Sequence, residues 1–98
     1  MDKEQALGLA KKYKEMVEKQ LPVKAVYLYG SYSRNTQNSN SDIDIAVIVE
    51  NFDRDYFSDT PLLWKIRRQV SNLIEPVLLI EDSTNPLYYD IIRSGQRL

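Results

Sequence analysis

The stretch YLYGSYSRNTQNSNSDIDIAVIV, Tyr27–Val49, decides how this chain of 98 residues folds. Two runs with strand character bracket a polar segment. The first, VKAVYLYG from Val23 to Gly30, is rich in β-branched and aromatic residues. The second, DIDIAVIV from Asp42 to Val49, alternates. Ile43, Ile45, Val47 and Val49 go to one face, and Asp42, Asp44, Ala46 and Ile48 go to the other. Between them SYSRNTQNSNS has no hydrophobic period, although Ser31 to Thr36 can open a short helix.

Working outward, residues 3 to 21 read as an amphipathic helix. Ala6, Leu9, Ala10, Tyr13, Met16, Val17 and Leu21 recur at spacings of three and four, and Pro22 ends the run. On the other side ENFDRDYFSD reads as a loop. Thr60 then suits an N-cap, with Pro61 at the first helical position. That helix places Leu62 or Leu63, Ile66, Val70 and Leu73 on one stripe and Lys65, Arg67 and Arg68 on a solvated face. LIEPVLLI, Leu73 to Ile80, is a third strand, and Pro76 predicts an edge position or a bulge because it has no N–H for a ladder. A last short helix spans about Pro86 to Arg93 and ends near Gly95. Alternating elements in a single domain, 1–98, predict an α/β or α+β fold with helices packed on a three-stranded sheet.

Composition removes most of the common catalytic kits. The chain is 43% hydrophobic and 28% charged, with a net charge of −1, so neither nucleic acid nor an anionic membrane is indicated as partner. No apolar run approaches the roughly 18 residues of a membrane span, and the first twenty residues are charged throughout, which predicts a cytoplasmic protein. There is no cysteine and no histidine, which excludes disulfides, thiolate chemistry, structural zinc and His-dependent triads. Any metal must be held by oxygen, which favours Mg²⁺, Mn²⁺ or Ca²⁺. With only Gly8, Gly30 and Gly95, neither a Walker A loop nor a dinucleotide fingerprint can be written.

Against that background Asp42 and Asp44 stand out. Strand residues two apart project from one face with Cα atoms roughly 6.6 to 7 Å apart, so two carboxylates about 6 Å apart would repel by ~3 kcal/mol at an effective dielectric of ~20. A divalent cation turns the repulsion into attraction. Glu75, the acid within LIEPVLLI, is the candidate for a third ligand, as a two-ion site requires. Gly30 and Ser31 follow the first strand directly. There a bare backbone, a hydroxyl and neighbouring N–H groups suit a phosphate oxygen. Each feature alone has a bland reading, as a turn or a strand end; their position relative to one another gives them weight. Trp64 reads as an anchor against the core or a partner, and Tyr27 and Tyr29 as strand packing residues.

GSYSRN followed by SDIDIAV resembles the signature of the DNA polymerase β-like nucleotidyltransferase superfamily, and the compact size resembles its minimal nucleotidyltransferase branch. The resemblance implies the nucleotidyltransferase fold, with a small mixed sheet. It implies nucleotide binding by Gly30 and Ser31, and Mg²⁺ or Mn²⁺ held by Asp42, Asp44 and Glu75 as the catalytic acids; Arg34 reads equally as a further nucleotide-phosphate contact or as a solvated surface charge. The reaction implied is transfer of a nucleoside monophosphate, AMP from ATP, to an acceptor hydroxyl or phosphate. The partner implied is a helical protein of HEPN type, with this chain as the antitoxin of a toxin–antitoxin pair; a homodimer is the other way to complete the site. Asn35 stands where many relatives have glycine, and Glu75 where aspartate is more usual. The alternative reading is a non-catalytic module that keeps the fold and neutralises a partner by stoichiometric contact.

Overall fold

A computed structural model describes residues 2–30, 42–50, 56–81 and 84–98. The elements in chain order are α1 (Lys3–Glu18), β1 (Val23–Tyr29), β2 (Ile43–Val49), α2 (Tyr56–Arg67), β3 (Ile74–Ile80), α3 (Pro86–Ser94) and β4 (Gln96–Arg97). The expected short helix at Ser31 to Thr36 lies outside the described residues.

The sheet order is β3-β2-β1-β4, with β1 antiparallel to β2 and β4, and β2 parallel to β3. The α/β class and the mixed sheet are as expected. The sheet has a fourth strand, however. Gln96–Arg97 is too short and too polar to carry a strand pattern; it pairs because α3 returns the chain to the open edge of β1, where Leu98 N–H donates to the Val26 carbonyl at 2.9 Å.

Pro76 lies on an edge strand, as its missing donor requires. The Ile43 N–H donates to the Leu73 carbonyl and the Glu81 N–H to the Val49 carbonyl, so the odd-numbered residues of β3 face β2. Pro76 faces the open edge and costs the ladder nothing, and the β2–β3 register runs without a shift.

Alternation along the strands divides the core. Val26, Leu28, Ile43, Ile45, Val47, Ile74 and Leu78 pack beneath α1 and α2, where Ala6, Ala10, Tyr13, Val17, Leu63 and Ile66 close the layer. Each such aliphatic side chain, fully buried, contributes roughly 1.5–3 kcal/mol. On the opposite face Ala46, Ile48 and Leu79 pack against Tyr88 and Ile91 of α3. The thinner α3 side is the one that carries the acidic positions of β2 and β3.

Helix α1 begins with a capping box in which Asp2 accepts from the Gln5 N–H and the Gln5 side chain accepts from Asp2. The Tyr13 hydroxyl donates to the Leu63 carbonyl at 2.7 Å inside the core, joining α1 to α2. Helix α2 corrects two expectations. It starts at Tyr56, one turn before the expected Thr60 cap, with Pro61 inside it. A proline excludes one helical bond, from its own position to the carbonyl four residues back, so the preceding turn can still be helical. Leu73, expected on the buried stripe, is 36% exposed because the helix ends at Arg67 and the chain has turned before it. Among the described residues no helix is long and apolar enough to cross a membrane.

Candidate active site at the ends of three strands

The pairing register builds the site. Tyr29 on β1 lies opposite Asp44 on β2, and Asp44 lies beside Glu75 on β3. Three side chains from three neighbouring strands therefore stand in one row, on the face that α3 covers. Adjacent strands are separated by about 4.8 Å, so Glu75 starts nearer to Asp44 than Asp42 does along its own strand. The row joins residues far apart in sequence, and the parallel β2–β3 pairing is what brings the two acids together.

The electrostatics of the row agree with its geometry. Burial pushes the Tyr29 phenol up to about 12, and the negative charges of Asp44 and Glu75 push it the same way. Tyr29 therefore keeps its proton at neutral pH and offers a neutral hydroxyl beside two carboxylates. Asp44 is half-buried, while Glu75 and Asp42 are exposed. Asp42 sits just before β2 and outside the ladder.

Gly30 is required at the end of β1 on two counts. Its φ is +73°, in the left-handed region that favours glycine. A Cβ placed there would overlap Oδ2 of Asp44 and come within 3.2 Å of its carboxyl carbon. The bare backbone is thus what lets the strand end pass against the Asp44 carboxylate. Ser31 and Arg34, the other two expected nucleotide contacts, lie outside the described residues.

The donor chemistry fits a hard divalent cation: Asp42, Asp44 and Glu75 offer oxygen alone, and the Tyr29 phenol registers the negative field that Asp44 and Glu75 create. Among the described residues, no three acidic side chains converge closely enough to hold an ion together. The register assembles Asp44 with Glu75, and Asp42 immediately precedes the strand that carries Asp44.

Two contributions were missed by sequence reasoning. A cavity of about 300 Å³ adjoins Asp44, lined by Tyr29 and Gly30 and closed by Leu87, Asp90, Ile91 and Ser94 of α3. The signal was present as the 87, 90, 91, 94 helical stripe, whose second and fourth members are polar. Arg67, expected on a solvated face, instead turns back over the α2–β3 connection. Its Nη1 donates to the Asn72 carbonyl at 2.8 Å and to the outward-facing Ile74 carbonyl at 3.2 Å, and its guanidinium stacks 4.5 Å from the Trp64 ring. It braces the residues that lead into Glu75.

The polymerase beta nucleotidyltransferase family matches residues 11–98. The chain belongs to this family. Among its relatives, the protein adenylyltransferase MntA of Shewanella oneidensis is 29% identical over 76 residues, 74% of this chain and 51% of that protein. A protein of Methanocaldococcus jannaschii, named by inference as a protein adenylyltransferase, is 33% identical over 69 residues, 68% of this chain and 63% of its own. The chain thus spans between half and two thirds of the length of these relatives. In solved structures the same fold recurs. An inferred nucleotidyltransferase from Sulfolobus solfataricus aligns over 98% of this chain and 79% of its own, with a TM-score of 0.67 and 23% identity. A chain of the toxin–antitoxin complex MntA–HpeT aligns over 90% of this chain and 69% of its own, with a TM-score of 0.65 and 27% identity.

Proposed function

We propose that this nucleotidyltransferase-family chain transfers AMP from ATP, with Mg²⁺ or Mn²⁺, to a hydroxyl or phosphate acceptor on a helical partner protein of HEPN type, as the antitoxin of a toxin–antitoxin pair. The observation that carries the reading is the row of Tyr29, Asp44 and Glu75 at the mouth of the sheet, with Gly30 bare beside it. The adenylyltransferase names of two relatives support the choice of AMP and of a protein acceptor, and the MntA–HpeT complex supports the partner.

In this reading the adjacent Asp44 and Glu75 would hold the divalent cation, with Asp42 approaching it from the start of β2, and the ion would neutralise phosphate charge. Gly30, Ser31 and Arg34 hold and orient the triphosphate. The acceptor oxygen bonds to the α-phosphorus, the bond from that phosphorus to the β-phosphate bridging oxygen breaks, and pyrophosphate leaves with that electron pair. Glu75, exposed at the rim, receives the proton the acceptor hydroxyl gives up. Tyr29 remains protonated beside the acids and orients a carboxylate or a substrate oxygen by donation. Positioning and charge neutralisation supply most of the rate.

The test is a thermal-shift titration with ATP and Mg²⁺ or Mn²⁺, repeated with chelator and with Asp44→Asn. Saturation at 100 times Kd adds about 2.7 kcal/mol, a shift of several degrees for a domain of this size. A metal-dependent shift lost in Asp44→Asn supports the assignment. Absence of any shift at millimolar nucleotide would turn the reading over to the alternative, a module that neutralises its partner by contact.

A further inference from the structure

The cavity beside Asp44 has a composition that a triphosphate site alone does not explain. Among the described residues its lining holds two carboxylates, Asp44 and Asp90, one serine hydroxyl, the protonated phenol of Tyr29, and no cation. Phosphate oxygens only accept hydrogen bonds and carry negative charge, so Asp90 repels them. A carboxylate is likewise an acceptor only, and its natural ligand is a neutral group that donates. At about 300 Å³ the cavity lies at the lower end of small-molecule pockets, with room for part of a nucleotide and not the whole of it.

The α3 wall is divided. Leu87 and Ile91 offer apolar surface, while Asp90 and Ser94, four residues apart on the same helical face, offer polar groups. The Ser94 hydroxyl donates to the Asp90 carbonyl at 2.8 Å, which leaves its oxygen able to accept. The Asp90 carboxylate is held by Arg93 at 3.2 Å, but both side chains are largely exposed, 68% and 77%, and such a pair gives way readily to a better donor. Within a nucleoside triphosphate the group that matches is the sugar: it has two adjacent O–H donors on one edge and an apolar face.

We propose that this cavity is a ribose pocket, in which Asp90 accepts hydrogen bonds from the sugar hydroxyls and makes the site selective for ribonucleotides. The inference rests on the nucleotide reading of the preceding section and extends it to a residue on α3, outside the strand-end motif. Asp90 is a specificity-determining residue here, and the chemistry remains with the strand acids.

The test compares the Kd of ATP, 2′-deoxy-ATP, 3′-deoxy-ATP and GTP, with Mg²⁺, for the full chain, for Asp90→Ala and for Asp90→Asn. One charge-assisted hydrogen bond corresponds to tenfold or more in affinity, so the unaltered chain should prefer ATP to at least one deoxy analogue by about that factor. Asp90→Ala should abolish the preference, and Asp90→Asn, which retains one acceptor oxygen, should keep part of it. Removing a negative charge raises the affinity of all these nucleotides together, so the ratio is the readout and not the absolute Kd. Asp90 lies on the surface of α3, and matching melting temperatures confirm that the variants fold. An unchanged ratio in Asp90→Ala overturns the ribose pocket and leaves nucleotide binding standing. A change in ATP-over-GTP preference without a change in the ribose ratio assigns Asp90 to the base and also overturns it. Failure of the unaltered chain to bind any of the four overturns both readings.

Discussion

Replacing Gly30 by alanine tests the contact on which the site is built. The cost has two parts. Holding a non-glycine residue at a φ of +73° costs roughly 1–2 kcal/mol. The new Cβ also overlaps Oδ2 of Asp44, and displacing that carboxylate from its rotamer costs about 0.5–1.5 kcal/mol more. The two parts separate in a double-mutant cycle. In an Asp44→Ala background the colliding carboxyl group is gone and the remaining neighbour, the residue-44 Cβ, stands 3.4 Å away, so only the backbone part survives. Gly30→Ala should therefore cost about 1.5–3.5 kcal/mol in the native chain and about 1–2 kcal/mol beside Asp44→Ala, a coupling of roughly 0.5–1.5 kcal/mol. Urea unfolding of the four proteins, with one m-value shared among them, measures it. Equal costs in both backgrounds would refute the close approach of Gly30 to Asp44. A larger cost in the Asp44→Ala background would place the carboxylate elsewhere altogether.

Two further outcomes rest on the tyrosines. Tyr29 should titrate at about 12 by its tyrosinate ultraviolet band, and Asp44→Asn should lower that value without restoring the ordinary one, because burial is the larger cause. The folded state holds this proton more tightly than the unfolded chain, so the stability it contributes is complete below about pH 10 and is lost as pH rises toward about 12. An unmoved titration in Asp44→Asn would separate the two side chains. Tyr13→Phe removes the buried bond to the Leu63 carbonyl and should cost about 1–3 kcal/mol in chemical denaturation, with nucleotide affinity unchanged. A loss below measurement error would mean that this bond does not hold α1 to α2.

What was legible depended on the range of the interaction that encodes it. The seven-residue strand Ile43–Val49 and its division into an apolar and an acidic face follow from alternation, which any reader of the sequence can apply. The helix at α1 follows from its 3.6-residue period, and Pro76 announced an edge strand by the donor it lacks. Asp44 was legible because a carboxylate between two isoleucines has no local reason to be there. The start of α2 was misread because Pro61 was given more authority than one lost hydrogen bond carries. Strand β4 was missed because two polar residues have no pattern; an open edge on β1 made them a strand.

The amino-acid sequence by itself determined the order of most elements, the apolar faces, the family signature at Gly30 and Asp42–Asp44, and the exclusion of cysteine and histidine chemistry. Those properties depend on local periodicity and residue type. Only the tertiary structure decided that Glu75 stands beside Asp44, that Tyr29 completes the row, that Asp90 and Ser94 face the same cavity, and that Arg67 braces the turn rather than facing water. Each of those contacts joins residues distant along the chain, and their distances are set by strand register and by the side of the sheet to which a helix returns.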